Sequence, residues 1–312
     1  MKLNIVAALV LLIGAFAYQA PNASGPAKTK AGELKIAYNV NIGGGDYEIF
    51  VMNLDGTGQR NITNSKSVDW VYYAYRDKLY FVSDRDSTRR KYFLYEMDGD
   101  GGNVRKISNF IVEDSWVSSR KNATEFVVSS GKDGKRHELY LIDRNGKELK
   151  RLTNDDIYDN DPAFSPNGKQ IVFRSKRSEY DELWIMDDNG ANLRRLTYYP
   201  KDEKDTDKNA FHASAPFWEP NRNIISFASK RQANYSIFTI KPDGSGLKQL
   251  TSGKLDEVWH AWSPDGKWIT YDGTDEQGNY DIYLMRSDGA GVKRLTSEKR
   301  SEMAPVFVRA SS

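Results

Sequence analysis

The sequence predicts an all-β fold, a six-bladed β-propeller of four-stranded antiparallel blades whose ring is closed by the C-terminal strand joining the first blade. Three observations predict it: a repeat of about 45 residues, two hairpin signatures in each repeat, and a closing fragment that supplies what the first repeat lacks. The repeat is anchored at Thr63, Ser108, Thr153, Thr197, Thr251 and Thr296, each preceded by Ile or Leu. Thirteen residues before each anchor stands an aromatic: Phe50, Tyr95, Tyr140, Trp184, Phe238 or Tyr283. Seven before it stands glycine: Gly56, Gly101, Gly146, Gly190, Gly244 or Gly289. Anchors follow one another at 44 or 45 residues, with one step of 54.

Taken in order, a repeat opens on an inner strand and a first hairpin, clearest at the Pro-Asp-Gly and Pro-Asn-Gly turns of Trp262–Tyr271 and Phe164–Phe173. An apolar second strand follows. The third alternates, as in Ile282-Tyr283-Leu284-Met285, and ends at Asp-Gly or Asn-Gly, where glycine accepts positive φ cheaply. A short fourth strand closes on Arg-Leu-Thr or a close variant. The first repeat starts at Lys35-Ile36-Ala37-Tyr38, already a second strand, whereas Glu302–Phe307 matches the opening pattern of Asp161–Phe164. The C-terminal strand therefore completes blade 1 and leaves no sheet edge at the seam.

These residues resemble the WD40-like propeller repeat of the TolB family. The pattern D-x-x-P-x-W/F-S-P-D-G-K, then I/L-Y-x-M-D-x-D-G, then R-L-T, is fullest at 159–197 and 257–296. Tyr73–Lys78 and Ser119–Thr124 replace the Ser-Pro-Asp-Gly turn in repeats two and three. The resemblance covers residues 35–308. It implies a non-catalytic propeller that binds a protein or peptide in the cell envelope, as the family's namesake binds the lipoprotein Pal. The stretch before residue 33 is too short for the α/β domain that precedes the namesake's propeller. Related propellers precede prolyl-peptidase hydrolase domains, but no Gly-x-Ser-x-Gly elbow occurs here.

The N-terminus predicts export. Lys2 precedes an apolar run from Ile5 to Ala17, and Ala15-Phe16-Ala17 places small residues for cleavage after Ala17. The expected organisation is a signal peptide over 1–17, a flexible leader over 18–32 and the propeller over 33–312, in a periplasmic or secreted protein. The run is short for a membrane span, so no stable membrane insertion is expected after cleavage, although an uncleaved anchor is the alternative. With no cysteine there is no lipid-attachment residue, disulfide or thiolate metal site. A formal charge of +2 with both signs mixed along the chain carries no nucleic-acid signature. A monomer is expected.

Antiparallel order fixes two faces. The tight turns after the first and third strands share one face, which reads as structural, and the longer loops share the other, where binding is expected. At the channel mouth of that second face acids recur: Asp69, Glu113, Asp114, Asp159, Asp161, Glu257 and Glu302, joined by His212, Trp259 and His260. Arg85, Arg177 and Arg231 recur in Ser-x-Arg triplets. Acids and arginines at fixed places read either as ion pairs locking neighbouring blades or as a charged rim that holds a partner. Trp259 is the preferred anchor, since Asp161, Ala215 and Ala304 stand at its place elsewhere. The insertion Tyr198–Phe211 is a candidate recognition loop. No cofactor is expected. Ca²⁺ at the acidic mouth is the one candidate ion, but no defined loop spacing supports it. The alternative function is a lyase or hydrolase acting on glycans or peptides at the mouth. Its weakness is that only His137, His212 and His260 are available, and no pair of acids stands out.

Overall fold

The computed structural model describes residues 32–134, 136–178, 180–198, 212–230, 234–274 and 277–311. The expected signal peptide, nearly all of the leader, Arg231 and most of the insertion lie outside them. Blade 1 holds β1 (Leu34–Gly43), β2 (Asp46–Asn53) and β3 (Arg60–Asn61). Blade 2 holds β4 (Asp69–Tyr75), β5 (Lys78–Ser83), β6 (Phe93–Asp98) and β7 (Arg105–Lys106). Blade 3 holds β8 (Ser118–Arg120), β9 (Glu125–Ser130), β10 (Glu138–Asp143) and β11 (Glu148–Arg151). Blade 4 holds β12 (Asp159–Phe164), β13 (Gln170–Ser178), β14 (Tyr180–Asp187) and β15 (Arg194–Arg195). Blade 5 holds β16 (Ser214–Trp218), β17 (Ile225–Ser229), β18 (Ser236–Ile240) and β19 (Lys248–Gln249). Blade 6 holds β20 (Glu257–Trp262), β21 (Trp268–Thr274), β22 (Tyr280–Arg286) and β23 (Lys293–Arg294). The last strand, β24 (Glu302–Arg309), pairs antiparallel with β1 from Leu34↔Arg309 to Val40↔Glu302 and gives blade 1 its fourth strand. The seam is closed as the repeat implied.

The repeated residues explain how the blades form and lock. In all six, the anchor hydroxyl accepts the backbone N–H of the residue fourteen positions earlier, on the third strand. The donors are Ile49, Leu94, Leu139, Leu183, Ile237 and Ile282, at 2.8–3.0 Å. A hydroxyl thus satisfies a donor that the outer strand, two residues long in every blade but blade 3, leaves without a ladder partner. The repeated glycines have φ between 78° and 94°. They also lie against the previous blade: a Cβ on Gly101 would sit 2.4 Å from the Ile62 carbonyl, on Gly146 2.2 Å from that of Ile107, and on Gly56 2.7 Å from that of Leu295. At these three positions glycine is required twice over, by backbone and by neighbour. The last contact joins blade 6 to blade 1 in the same way.

Apolar faces fill the wedge between adjacent blades. Ala163, Val172, Leu183, Ile185 and Leu196 of blade 4 pack with Trp218, Ile225, Phe227, Phe238 and Ile240 of blade 5. At the seam Ile36, Tyr38, Val40 and Phe307 of blade 1 pack on Ile282, Leu284 and Leu295 of blade 6. Each fully buried aliphatic or aromatic side chain contributes about 1.5–3 kcal/mol, so a ring without disulfides holds together by these layers. Polar ties add register. Asn39 of blade 1 accepts the Val71 N–H (2.7 Å) and donates to the Met303 carbonyl, and Asp272 of blade 6 accepts the Ala304 N–H at 2.9 Å.

Candidate functional site

The innermost strands run from the long-loop face to the turn face, so their first residues line one end of the channel and their last residues the other. At the long-loop end the predicted acids are engaged within the protein. Asp69 is buried and holds Arg85 at 3.1 and 3.2 Å and the Ser65 hydroxyl at 2.8 Å. Asp159 is buried against Arg177, which also reaches Asp155. Asp161 pairs with Arg174 (2.6 Å) and accepts the Ser115 hydroxyl at 3.0 Å. Glu257 takes the Thr251 hydroxyl at 2.6 Å and the Gly253 N–H at 3.2 Å. Glu113 meets His137 at 3.2 Å, and Asp114 accepts the Tyr72 hydroxyl at 2.5 Å. Burial pushes Asp159 up to about 6 and Glu302 and Asp272 up to about 7.

Of the two readings of the acid–arginine pattern, ties between neighbouring blades need correction. Asp69 is the register partner of Ser83 and Asp159 of Ser175, so each Ser-x-Arg triplet folds over the first strand of its own blade. The pairs with Arg85 and Arg177 fix loops within blades. The blades are joined by glycine–carbonyl contacts, apolar layers, the Asn39 and Asp272 bonds, the hydroxyls of Tyr72, Ser115 and Thr251 on Asp114, Asp161 and Glu257, and ion pairs elsewhere such as Arg120–Asp188 and Arg89–Asp46.

The histidines are dispersed. His260 is fully buried with Nε2 2.7 Å from the Ser226 hydroxyl, and burial pushes it down to about 4, so it is neutral. His212 is buried and stacks on Tyr180 at 4.5 Å, and His137 Nδ1 lies 3.0 Å from Asn160 Oδ1. Among the described residues the one group of acidic or imidazole side chains close enough to share a metal ion is Glu138, Asp155 and Asp159. Arg151 lies 3.2 Å from Glu138, and Arg177 holds the other two acids. Two guanidinium groups already occupy that cluster and offset two of its three charges, so the donor set does not fit Ca²⁺.

Midway, aromatic side chains close the channel. Trp259 of blade 6 lies 5.9 Å from Trp116 of blade 3, across the axis, and 6.2 Å from Trp70 of blade 2. Trp116 meets Phe217 of blade 5 edge-on at 6.1 Å and Tyr72 at 4.6 Å. Such offset and edge-on pairs are the favoured arrangements. Trp259, expected as an exposed anchor, is half-buried in this plug.

Beyond the plug the channel widens into a blind funnel of about 880 Å³ that opens on the turn face. Trp116 and Phe217 form part of its lining, with Phe164, Trp218, Trp262 and Phe307 around them. Its rim comes from the turns after the first strands, chiefly Tyr73–Arg76, Ser119–Ala123 and Pro166–Lys169, with Arg309. The turns that depart from Ser-Pro-Asp-Gly supply much of it. Tyr75 donates to Asn122 at 2.8 Å and the Tyr73 and Ser119 hydroxyls are 3.0 Å apart, so the replacements bond to each other. Sequence reasoning missed this end because it assigned the turn face to structure alone. The signal available was the loss of the standard turn in two successive repeats.

Residues 201–311 match the model of the TolB beta propeller domain. The fold is TolB-like. TolB from Acinetobacter baumannii superposes with a TM-score of 0.72 at 21% identity, covering 89% of this chain and 67% of that one. The Agrobacterium tumefaciens protein assigned as TolB gives 0.66 at 17%, covering 88% and 92%. An enzyme shares the TolB-like architecture: oligogalacturonate lyase in complex with manganese, at a TM-score of 0.56 and 14% identity, covering 85% of this chain and 74% of that one. Among the described residues no helix is long and apolar enough to cross a membrane.

Proposed function

We propose that this chain is a non-catalytic, exported binding propeller of the bacterial cell envelope that takes a segment of a partner protein into the funnel on its turn face. One observation carries the reading: the funnel is the end of the channel that is open, aromatic-walled and rimmed by polar groups the fold leaves available. Recognition sites commonly combine an apolar concavity with a few placed polar groups, and Trp and Tyr dominate the binding energy of protein interfaces. The TolB-like fold supports an envelope role. The signal peptide over 1–17, a periplasmic or secreted mature form and a monomeric state complete the proposal. An enzymatic role has weaker support here, because the histidines are buried or dispersed and the acids at the other end are bonded internally.

The test is site-specific photo-cross-linking in the cell of origin. A cross-linking side chain in place of Lys169, on the funnel rim, should trap a discrete protein adduct, and one in place of Asp288, in an outer turn of blade 6, should not. Adducts of equal yield from both positions, or adducts only from a position at the acid end such as Glu113, would overturn the reading. N-terminal sequencing of the recovered protein should begin near Tyr18; a retained Met1 would mean an anchor.

A further inference from the structure

The charge distribution around the funnel points to the chemistry of its occupant. Arg76, Arg120, Lys121, Lys169 and Arg309 line it, against a single acid, Asp188. The imbalance is local, since the whole chain carries only +2. It is also only partly neutralised. Arg120 holds Glu125 at 2.7 Å and reaches Asp188, and Lys121 meets Glu125 at 2.6 Å. Arg76, Lys169 and Arg309 are exposed and have no carboxylate within ion-pair distance among the described residues. Arg76 instead leans on the Tyr75 ring, 5.2 Å away, and donates weakly to Asn122, while Arg309 donates to the Gly32 carbonyl. These three cations come from blades 2, 4 and 1; Arg76 and Arg309 are neighbours, the Arg309 N–H donating to the Arg76 carbonyl at 2.8 Å, while Lys169 stands on blade 4.

We infer that the occupant is an acidic peptide segment of the partner protein, with its carboxylates set between these cations and its apolar side chains on the aromatic wall. This rests on the binding role proposed above and deepens it. Guanidinium groups bind carboxylates in paired hydrogen bonds, and a cationic ring over a low-dielectric cavity concentrates and steers anionic ligands. The same field disfavours a basic segment, so it sets specificity as well as affinity. The acid end of the channel is the weaker competitor, because most of its carboxylates are already bonded within the protein.

The experiment titrates the full mature chain with three capped peptides that share a tyrosine- and leucine-containing frame and differ only in carrying glutamate, glutamine or lysine at the remaining positions. Tryptophan fluorescence reports binding, since Trp116, Trp218 and Trp262 line the funnel. The glutamate peptide should bind at least about tenfold tighter than the glutamine peptide, and that advantage should shrink as salt rises. Replacing Arg76, Lys169 and Arg309 together by Gln should abolish the advantage, and the single change Lys169→Gln should reduce it, with melting temperatures unchanged. Equal binding of all three peptides, or preference for lysine, would overturn the acidic assignment while leaving the binding role standing. No binding by any peptide, together with no adduct from Lys169, would overturn both.

Discussion

The two ends of one channel are built from the same six strands and behave in opposite ways. At the long-loop end acids recur at the start of those strands, and arginines, hydroxyls and backbone N–H groups of the same or the preceding blade engage most of them. At the turn end the charges are basic, and three of them face solvent without an acid partner. The count of charged residues at each end would have favoured the acid end for binding. The difference teaches that a recurring charge placed where a loop can fold back onto it is consumed by the fold. Charges on turns that cannot fold back remain available.

Deleting 302–311 should have the largest effect, because it removes material from both ends at once. Glu302 belongs to the acid end, Phe307 and Arg309 to the funnel, and Met303, Val306 and Val308 to the core. The expected outcome is a loss of more than about 5 kcal/mol, with no cooperative melt near that of the full chain. Next comes Asp159→Ala, which strips the buried Arg177 of its closest partner and should cost about 3 kcal/mol in urea denaturation while leaving peptide affinity unchanged. A parallel loss of affinity would erase the contrast between the ends.

The third test separates the rim of the turn face from its centre. Gly146→Ala should cost at least about 2 kcal/mol, because the new Cβ meets the Ile107 carbonyl at 2.2 Å. Gly244→Ala, with φ likewise positive (87° against 78°) but its nearest carbonyl 3.7 Å away, should cost about 1 kcal/mol. Equal costs would mean that backbone strain alone explains the repeated glycine. A smaller effect is expected at Glu302. Its carboxyl is raised by burial from the ordinary 4.5 to about 7, and one of its oxygens is buried without a partner. The folded state therefore holds this proton more tightly than the unfolded state. The stabilising contribution is present below about pH 4.5 and is lost as pH rises toward 7. Glu302→Gln should flatten that decline, raising stability at pH 8 relative to the parent by about 1 kcal/mol, or about 2–4 °C in Tm. Last, Lys169→Gln should shift stability by less than about 0.5 kcal/mol and register only in binding.

Much of the fold was legible because each blade repeats the same local solution. The Thr and Ser anchors mark hydroxyls that accept a third-strand N–H, and the glycines mark turns pressed against the blade before, so spacing alone revealed strands, turns and seam. The site was less legible. Whether Asp69 and Asp159 face a ligand or an arginine depends on cross-strand register with Ser83 and Ser175, which the repeat does not display. The plug is only partly periodic: Trp116 and Trp259 each stand 37 residues before the anchor of their repeat, but Trp70 and Phe217, which meet them, do not. The funnel rim was hidden for the opposite reason. It arises where the repeat fails, in Tyr73–Arg76 and Ser119–Ala123.

The seam has a kinetic consequence. Asn39 and Met303 meet across a sequence separation of 264 residues, whereas the strands of blades 2 to 6 pair with neighbours a hairpin away. Closing so long a loop carries an entropic cost that only the completed ring repays, and all-β folds dominated by distant contacts fold slowly. The refolding chain should therefore assemble hairpins first, pass through an open arc, and close last at β24 and β1. A fluorophore pair spanning that junction should lag behind one within blade 4, and the lag would measure how long the nascent ring exposes an unpaired edge to aggregation.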